Sequence, residues 1–329
     1  MEFAHSALLI APAQREFRVG FRCRDSYMKK QILMITSSND LTCDYLIASY
    51  SDASFFRLDF DRFSKYEMEV GEDGFHIESN EGSIDSQSCQ SIYYRKPVAE
   101  NLCGVFEEKY HSFVHKEAYS LVEGIAESFE GRCLTRPSVM RRANNKAVQL
   151  ILAKQIGFKL PLSSITNCPS NIVAAGKGDR IVKPLAIGTV VSDGVKEFVQ
   201  TNIFDERIST ENLKYSPAYF QEYINKDYEV RSTFVGEVEF SVRILSENKV
   251  DWRKMNNTIL YEEARLPDEI YSMCVTFMKK LNMSFGCFDF IVRNDEFYFL
   301  EMNANGQWAW LEREVGVQIS KKIVGYLSE

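Results

Sequence analysis

Two segments near the end of this 329-residue chain carry acidic and amide side chains at a spacing that suits metal binding. Residues 287–292 read C-F-D-F-I-V and residues 299–303 read F-L-E-M-N, two apolar strands separated by a short turn. Strand alternation places Asp289 on the face opposite its phenylalanine neighbours, and it puts Glu301 and Asn303 on a shared face. Carboxylate and amide oxygens are ligands that Mg²⁺ prefers, with phosphate oxygens completing the shell.

The turn between these strands decides whether the three side chains converge. A three-residue turn at 294–296 places Asp289 opposite Glu301, whereas a two-residue turn places it opposite Leu300. Only the first arrangement brings the three side chains together. The same spacing also describes a polar sheet face turned to solvent, and spacing alone does not choose between the two interpretations.

Basic and hinge-like residues lie upstream of the hairpin. Lys183 ends the apolar strand I-V-K and precedes a small-residue turn, where it can reach a phosphate as a point charge. A lone lysine is more often solvated surface. Residues 220–231 read F-Q-E-Y-I-N-K-D-Y-E-V-R, a strand end that offers a carboxylate and main-chain groups. Glu229 and Arg231 then share one face of the next strand.

Composition narrows the classes of protein. The chain has 46 acidic and 39 basic residues, a net charge of −7, and 45% hydrophobic residues, which is typical of a globular protein. Net acidity argues against sequence-independent nucleic-acid binding, and no apolar run is long enough to span a bilayer. The eight cysteines lack a C-x-x-C pair, which favours free thiols in a reducing compartment and hence a cytoplasmic location.

The periodicity predicts an α/β chain of about two domains. Residues 1–27 are interpreted as an extension outside the folded core. A β-α-β opening follows from the apolar run 31–36, with helices expected at 41–48, 107–130, 140–155, 268–281 and 318–327. Strands are expected at 53–58, 66–70, 75–78, 91–95, 180–183, 189–191, 219–224, 230–235, 238–244, 286–292 and 296–302.

The order of these motifs resembles the ATP-grasp superfamily, and within it the graspetide synthetases, the microviridin-type ligases that macrocyclise ribosomal peptides. The resemblance runs from about Met28 to the C-terminus. It rests on the lysine at a strand end, the Q-E-Y-I and E-x-R segments, the D-F-I and F-L-E-M-N strands, and further elements: 36–40 (T-S-S-N-D), 94–97 (Y-R-K-P), 145–146 (N-K), 183–185 (K-P-L), 201–202 (T-N), 251–253 (D-W-R) and 303–308 (N-A-N-G-Q-W).

This resemblance implies an ATP-grasp fold, with a pre-ATP-grasp α/β domain at 28–135 and an ATP-grasp domain at 136–329, whose central and C-terminal lobes cover about 136–220 and 221–329. It also implies roles for individual residues. Lys146 and Lys183 would hold ATP phosphates. The adenine hinge would be Gln221, Glu222, Tyr223 and Ile224, with Glu229 on the ribose. A pair of Mg²⁺ ions would be held by Asp289, Glu301 and Asn303, and the transferred phosphate by Arg231 and Arg253, with Arg243 ranked lower.

The implied activity is ATP-dependent ligation. Asp or Glu side chains of a ribosomal precursor peptide with a leader segment would become acyl-phosphates and then join Ser or Thr hydroxyls or Lys amines. The expected partners are that peptide and, in a homodimer, a second copy of the chain. Two alternatives stay open: a glutamate-ligase-like enzyme acting on a protein or small molecule, and a nucleotide-binding regulator without catalysis. Trp308 is expected to flank a substrate groove, while Arg95 either faces the acceptor peptide or pairs with a carboxylate.

Overall fold

The N-terminal part of the chain is built on a parallel sheet that is buried on both faces, as the continuous apolar run at its start predicts. The computed structural model describes residues 30–176, 178–186, 189–192, 195–198, 201–248 and 257–329. The predicted N-terminal extension and Arg253 lie outside these ranges. The strands of the parallel sheet are β1 (Gln31–Thr36), β2 (Phe55–Asp59), β6 (Cys89–Tyr94) and β7 (Arg132–Leu134), in the order β2-β1-β6-β7.

Helices and a small antiparallel sheet complete this part. Helix α1 (Leu41–Ser49) begins after Asp40, whose carboxylate accepts a hydrogen bond from the Thr42 main-chain N–H at 3.0 Å and so caps the helix. Helix α2 (Glu108–Ser128) packs on one face of the parallel sheet together with the antiparallel strands β3 (Glu67–Gly71), β4 (Gly74–Ser79) and β5 (Gly82–Asp85).

The rest of the described chain contains two antiparallel sheets and a separate hairpin of β10 (Thr189–Ser192) and β11 (Val195–Phe198). The smaller sheet has the order β12-β9-β13-β8, with β8 (Ser163–Thr166), β9 (Arg180–Lys183), β12 (Asn202–Ile203) and β13 (Ala218–Glu222). The larger sheet has the order β16-β15-β14-β17-β18, with β14 (Tyr228–Val235), β15 (Val238–Ser246), β16 (Ile259–Ala264), β17 (Phe285–Arg293) and β18 (Glu296–Asn303).

The predicted helix at 140–155 is wrong in its bounds, because two helices meet there at Asn144 and Asn145. Helix α3 (Pro137–Ala143) ends, and α4 (Lys146–Ile156) begins after Asn145, whose side chain accepts hydrogen bonds from the N–H groups of Ala147 and Val148. An Asn side chain that satisfies free N–H groups starts a new helix at this point. The other α-helices among the described residues are α5 (Asp268–Lys280), α6 (Ala309–Val315) and α7 (Ile319–Ser328). The sequence did not predict α6 or strands β5, β7, β8, β11, β12 and β16.

The larger sheet is covered on both faces. One face packs under α4 and α5 through an aromatic cluster that includes Phe277, Phe288 and Phe290. The other face packs at one end against α6, α7 and the N-terminal sheet, through Val235, Phe285 and neighbouring residues. Polar residues occupy the rest of that face. None of the described helices is long and apolar enough to cross a membrane.

Candidate active site

Strands β17 and β18 set Asp289 directly opposite Glu301, although they are not joined by the three-residue turn. Their turn has two residues, Asn294 and Asp295, with φ of 50° and 61°, as a type I′ hairpin turn requires. That turn alone would place Asp289 opposite Leu300. The register then shifts by one residue beside Asp289, so Leu300 is bulged and Asp289 pairs with Glu301. The convergent pairing therefore occurs together with the two-residue turn, because a β-bulge bends the strand and re-aims its side chains.

The three candidate metal ligands are in mutual contact and are flanked by cations. The Asn303 side-chain amide donates to Asp289 Oδ2 at 3.0 Å and to Glu301 Oε1 at 3.3 Å. Arg231 Nη1 lies 3.2 Å from Asp289 Oδ1, and Lys146 Nζ lies 2.9 Å from Glu301 Oε2. The polar sheet face is therefore an organised and largely enclosed cluster, and the interpretation as an ordinary solvated surface is wrong.

The charges of this cluster are strongly perturbed. Burial alone would raise the pKa of Glu301, but the ammonium groups of Lys146 and Lys183 outweigh it and bring that pKa to about 2. Lys183 is buried at the end of β9 and donates to the Gln221 side-chain oxygen at 2.8 Å. Desolvation lowers its pKa to about 8, partly countered by Glu301. Lys183 is therefore a buried cation that an approaching anion would stabilise.

The hinge-like segment connects the two antiparallel sheets. Gln221 is buried and joins Lys183 to the Ser163 hydroxyl, which its amide reaches at 3.1 Å. The main-chain N–H of Glu222 donates to Leu162 at 2.7 Å, and that of Tyr223 donates to the Asp179 carbonyl at 2.9 Å. Ile224 is buried beyond them.

A small cavity lies between the two sheets beside Lys146. Its lining is mostly apolar and consists of Lys146, Gln149, Leu150, Leu160, Tyr219, Phe299 and Leu300. At about 10 Å³ it has room for no more than a single water, so it marks the seam between the two sheets and is not a formed pocket for a base.

Glu229 and Arg231 share a face of β14, as predicted, and it is the face that carries the metal-ligand candidates. Glu229 is buried and forms an ion pair with Lys226, a partner that the sequence analysis missed although the K-D-Y-E spacing could have indicated it. Arg231 pairs with Asp289 in the register of β14 and β17. Its Nε is buried and has no hydrogen-bond partner among the described residues. Arg231 thus retains a donor that a bound anion can satisfy.

Arg243 is not brought to this face. It pairs with Val230 in the register of β14 and β15, and paired residues share a face of the sheet. Arg243 is therefore on the other face of the sheet from Arg231. Its guanidinium lies 4.5 Å from the centroid of the Tyr228 ring and 3.5 Å from Glu262. We therefore drop Arg243 from the candidate site. Arg253 belongs to the part of the chain that is not described, so its role stays a prediction.

Two further expectations are resolved by packing. Trp308 is fully buried, and its indole N–H donates to the Tyr93 hydroxyl at 3.3 Å, so it is a core residue and the groove prediction is wrong. Arg95 is also buried and pairs with Asp40 at 3.2 Å, which answers the open alternative in favour of a carboxylate partner.

Gln149 positions β18, the strand that carries Glu301 and Asn303. The sequence analysis did not identify it, since a single Gln on a helix carries no recognisable signal. Its amide nitrogen donates to the carbonyls of Ala143 and Met302, at 2.7 Å each, and its oxygen accepts from the Met302 N–H at 2.9 Å. Asn144 accepts from the Ala304 N–H at 3.0 Å. These bonds attach β18 to the start of α4 on either side of Asn303.

The donor set fits magnesium better than a softer metal. Among the described residues no three His, Cys, Asp or Glu side chains gather for a metal ion, and the third member of this set is the Asn303 amide. Two carboxylates and an amide oxygen are hard ligands of limited number, which suits a Mg²⁺ ion that keeps water or phosphate oxygens. The buried unpaired donor of Arg231 and the depressed pKa of Lys183 both favour an anion close by.

Comparisons with known proteins identify the class of protein to which this fold and site belong. The MvdD pre-ATP-grasp domain family matches residues 31–141, and the RimK-like ATP-grasp domain family matches residues 142–327. No curated protein matches the chain by sequence.

Solved structures extend this result over most of the chain. The chain is similar to a RiPP-associated ATP-grasp ligase from Chryseobacterium gregarium, in complex with ADP and a leader and core peptide: 28% identity, TM-score 0.80, covering 91% of this chain and 96% of that one. It is also similar to the macrocyclases MdnC, bound with the precursor peptide MdnA (25%, TM-score 0.79), and MdnB (27%, TM-score 0.74), of Microcystis aeruginosa, each covering 91% of this chain and 99% of the other. A D-alanine–D-alanine ligase from Bacillus anthracis, at 12% identity and TM-score 0.56, shares the fold alone.

The chain therefore belongs to the RimK-like ATP-grasp family. Its pre-ATP-grasp domain and its structural neighbours put it among the graspetide synthetases, which confirms the predicted fold, the predicted family and the prediction of an ATP-dependent ligase.

Proposed function

We propose that the chain activates Asp or Glu side chains of a ribosomal precursor peptide as acyl-phosphates and joins them to Ser or Thr hydroxyls or to Lys amines, closing macrocycles. One observation carries this proposal: Lys146, Lys183 and Arg231 converge with Asp289 and Glu301 on a single enclosed sheet face. Three cations around two carboxylates suit a site for a highly charged nucleotide. The peptide complexes of two similar ligases support a peptide substrate.

The nucleotide would lie between the two antiparallel sheets. In this proposal Lys146 and Lys183 bind the phosphates, the segment from Gln221 to Ile224, including Glu222 and Tyr223, holds the adenine, and Glu229 contacts the ribose. The mostly apolar side chains that line the seam between the sheets, next to Lys146, support this orientation. Binding of ATP would replace the attraction between Lys146 and Glu301 with contacts to phosphate oxygens, and it would stabilise the charged form of Lys183.

Asp289, Glu301 and Asn303 would hold Mg²⁺, and we propose two ions. When bound, they would offset the negative charge of the phosphates and of the incoming carboxylate. Arg231 would contact the transferred phosphoryl group through its free Nε–H, and Arg253 is proposed to assist.

The reaction then needs no protein nucleophile. The substrate carboxylate attacks the γ-phosphorus and ADP leaves, after which a hydroxyl or amine attacks the acyl carbon, loses its proton, and phosphate leaves. Positioning and electrostatic stabilisation by the cationic side chains account for catalysis.

The assembly and location remain part of the proposal. We propose a cytoplasmic enzyme that acts as a homodimer, binds a leader segment and does not bind nucleic acid, with domains at 28–135 and 136–329. Light scattering of the purified chain tests the dimer.

The decisive experiment is incubation of the purified chain with ATP, Mg²⁺ and the short peptide encoded beside its gene, followed by mass spectrometry. Macrocyclisation removes one water mass for each ring closed, and ADP forms in equal amount. Addition of glutamate would instead increase the peptide mass. ATP binding without turnover would favour a regulatory protein, and an unchanged peptide with every candidate tested would contradict the proposal. The Asp289→Asn variant serves as the inactive control.

A further inference from the structure

Arg95 joins the N-terminal domain to the loop that follows the metal-ligand strand. Its side chain is only 1% exposed. The guanidinium donates to Asp40 Oδ2 at 3.2 Å, to Asn305 Oδ1 at 3.1 Å and to Gln307 Oε1 at 3.3 Å, and the Arg95 carbonyl accepts from the Asn305 amide. One buried cation therefore holds two residues of a loop that lies more than two hundred positions away in the sequence.

Asp40 fixes the orientation of that cation. Its carboxylate also accepts from the Thr36 hydroxyl at 2.8 Å and caps α1 through the Thr42 N–H. Burial would raise the pKa of Asp40, but Arg95 and the Thr36 hydroxyl outweigh it, so the carboxyl group is ionised at neutral pH. A buried ion pair is a poor source of net stability, and conformational specificity is a better explanation for one that is fully hydrogen-bonded.

The loop held by Arg95 lies against Arg231. Gly306 sits between Asn305 and Gln307, and a Cβ atom built on it would lie 2.6 Å from Cys287 Sγ and 2.8 Å from Arg231 Nη2. The main chain of Gly306 thus packs directly behind the guanidinium that reaches Asp289 at 3.2 Å. A small shift of the loop would leave Arg231 unsupported or push it towards Asp289.

We propose that Arg95 is a positioning residue for ligation: by holding Asn305 and Gln307, it keeps Gly306 against Arg231 and fixes the guanidinium that contacts the transferred phosphoryl group. This inference rests on the proposed function of Arg231. It makes the N-terminal domain a part of the catalytic geometry, through a residue that acts on Arg231.

Arg95→Lys is the primary test, because lysine preserves the charge beside Asp40 but cannot span both loop amides. Arg57→Lys is the matched control, since Arg57 pairs with Asp44 and Asp59 in the same domain and has no bond to the loop among the described residues. Hydrogen exchange of the backbone N–H groups of the loop tests positioning without requiring activity. We expect exchange at 304–308 to rise about tenfold or more in R95K and to stay near wild type in R57K.

Kinetics test the consequence. R95K should lower kcat for peptide ligation by about ten- to a hundredfold, a range consistent with a displacement of about 1 Å at a reacting group, while the KM for ATP changes less than about threefold. In an Arg231→Lys background, R95K should cause little further loss, which a merely structural defect would not reproduce. If R95K does not fold, Gln307→Ala, at an exposed side chain of the same loop, should give a smaller change of the same kind.

Equal exchange in R95K and R57K, or equal kinetic losses in both Arg231 backgrounds, would overturn the inference. A wild-type chain that modifies no peptide would contradict the proposed function instead, and the exchange data would still decide whether Arg95 holds the loop.

Discussion

Replacement of Glu301 by Gln should abolish ligation and, separately, lower the stability of the free protein. Glutamine keeps the shape and one oxygen of Glu301 but removes the charge that faces Lys146 at 2.9 Å and attracts the buried Lys183. The two cations would then lose their strongest carboxylate partner, and the proposed magnesium site would lose half of its ligand charge.

The size of the stability effect follows from the pKa. A fall from 4.5 to about 2 corresponds to roughly 3 kcal/mol of favourable interaction with the ionised form, at about 1.4 kcal/mol for each unit. Because the side chain is 27% exposed, solvent screening reduces this, and we expect a loss of about 1 to 3 kcal/mol. That is less than the total stability of an ordinary domain, so the variant should remain folded.

The direction of the pKa shift determines how the stability contribution of Glu301 changes with pH. Glu301 has a lower pKa in the folded chain than in the unfolded one, so its contribution is complete above about pH 4.5 and disappears as the pH falls towards about 2. The difference in free energy of unfolding between wild type and E301Q should therefore be constant near neutrality and shrink in acid. Urea unfolding between pH 3.5 and 7 measures it.

Glu296→Gln is the matched control, because Glu296 lies in the same strand and pairs with a lysine, Lys159, at an exposed position. It should leave both the free energy of unfolding and ligation close to wild type, because the pair is exposed to solvent. E301Q should reduce ligation by about a thousandfold or more in the presence of ATP and Mg²⁺. Retention of turnover within tenfold of wild type, or similar losses in E296Q and E301Q, would refute the assignment of Glu301.

Three other perturbations test separate parts of the site. Binding of ATP should be accompanied by proton uptake between about pH 8 and 10.5, because phosphate raises the depressed pKa of Lys183. Calorimetry in two buffers of different ionisation enthalpy measures the number of protons taken up, and the K183M variant should show no such uptake. Gly306→Ala should lower kcat by about ten- to a hundredfold in the ligation assay, since the added methyl group collides with the Arg231 guanidinium. Gln149→Leu should destabilise the chain by about 2 to 4 kcal/mol in urea unfolding, because it leaves buried main-chain groups, including those of Met302, without partners.

A specific result would contradict each of these three predictions. Proton uptake that persists in K183M would assign it to another group. Gly325→Ala, where nothing lies within 4 Å of the added atom, is the control for Gly306 and should be harmless. An unchanged unfolding midpoint in Q149L would mean that water or a rearrangement replaces the three hydrogen bonds.

Local sequence patterns correctly predicted those elements whose pattern of apolar and polar residues matches the surroundings in which they pack. The run Q-I-L-M-I-T becomes β1 with the expected bounds, because a strand buried on both faces needs a continuous apolar segment. Lys183 lies at the end of its strand as expected. Asn145 shows a missed local signal, since two adjacent Asn residues within a supposed helix indicate an N-cap.

Features that depend on distant contacts could not be read in this way. The sequence reasoning linked the pairing of Asp289 with Glu301 to turn length, but the observed pairing depends on the bulge at Leu300, which no turn motif indicates. Trp308 and Arg95 are buried because the chain after β18 folds back on Tyr93 and Asp40 of the other domain. The face of Arg243 depends on the register of β15, which alternation within one strand does not determine.

Strand β18 occupies the outer position of its sheet, yet its free side is not available for pairing with another chain. Gln149 bonds both main-chain groups of Met302 as a neighbouring strand would, the Lys159 carbonyl accepts from the Phe299 N–H at 2.9 Å, and Asn144 binds the Ala304 N–H. An uncovered outer strand invites sheet extension and aggregation. An extended peptide could add to such a strand, so these covering groups would also keep the enzyme from capturing a peptide substrate as an extra strand in an unproductive register.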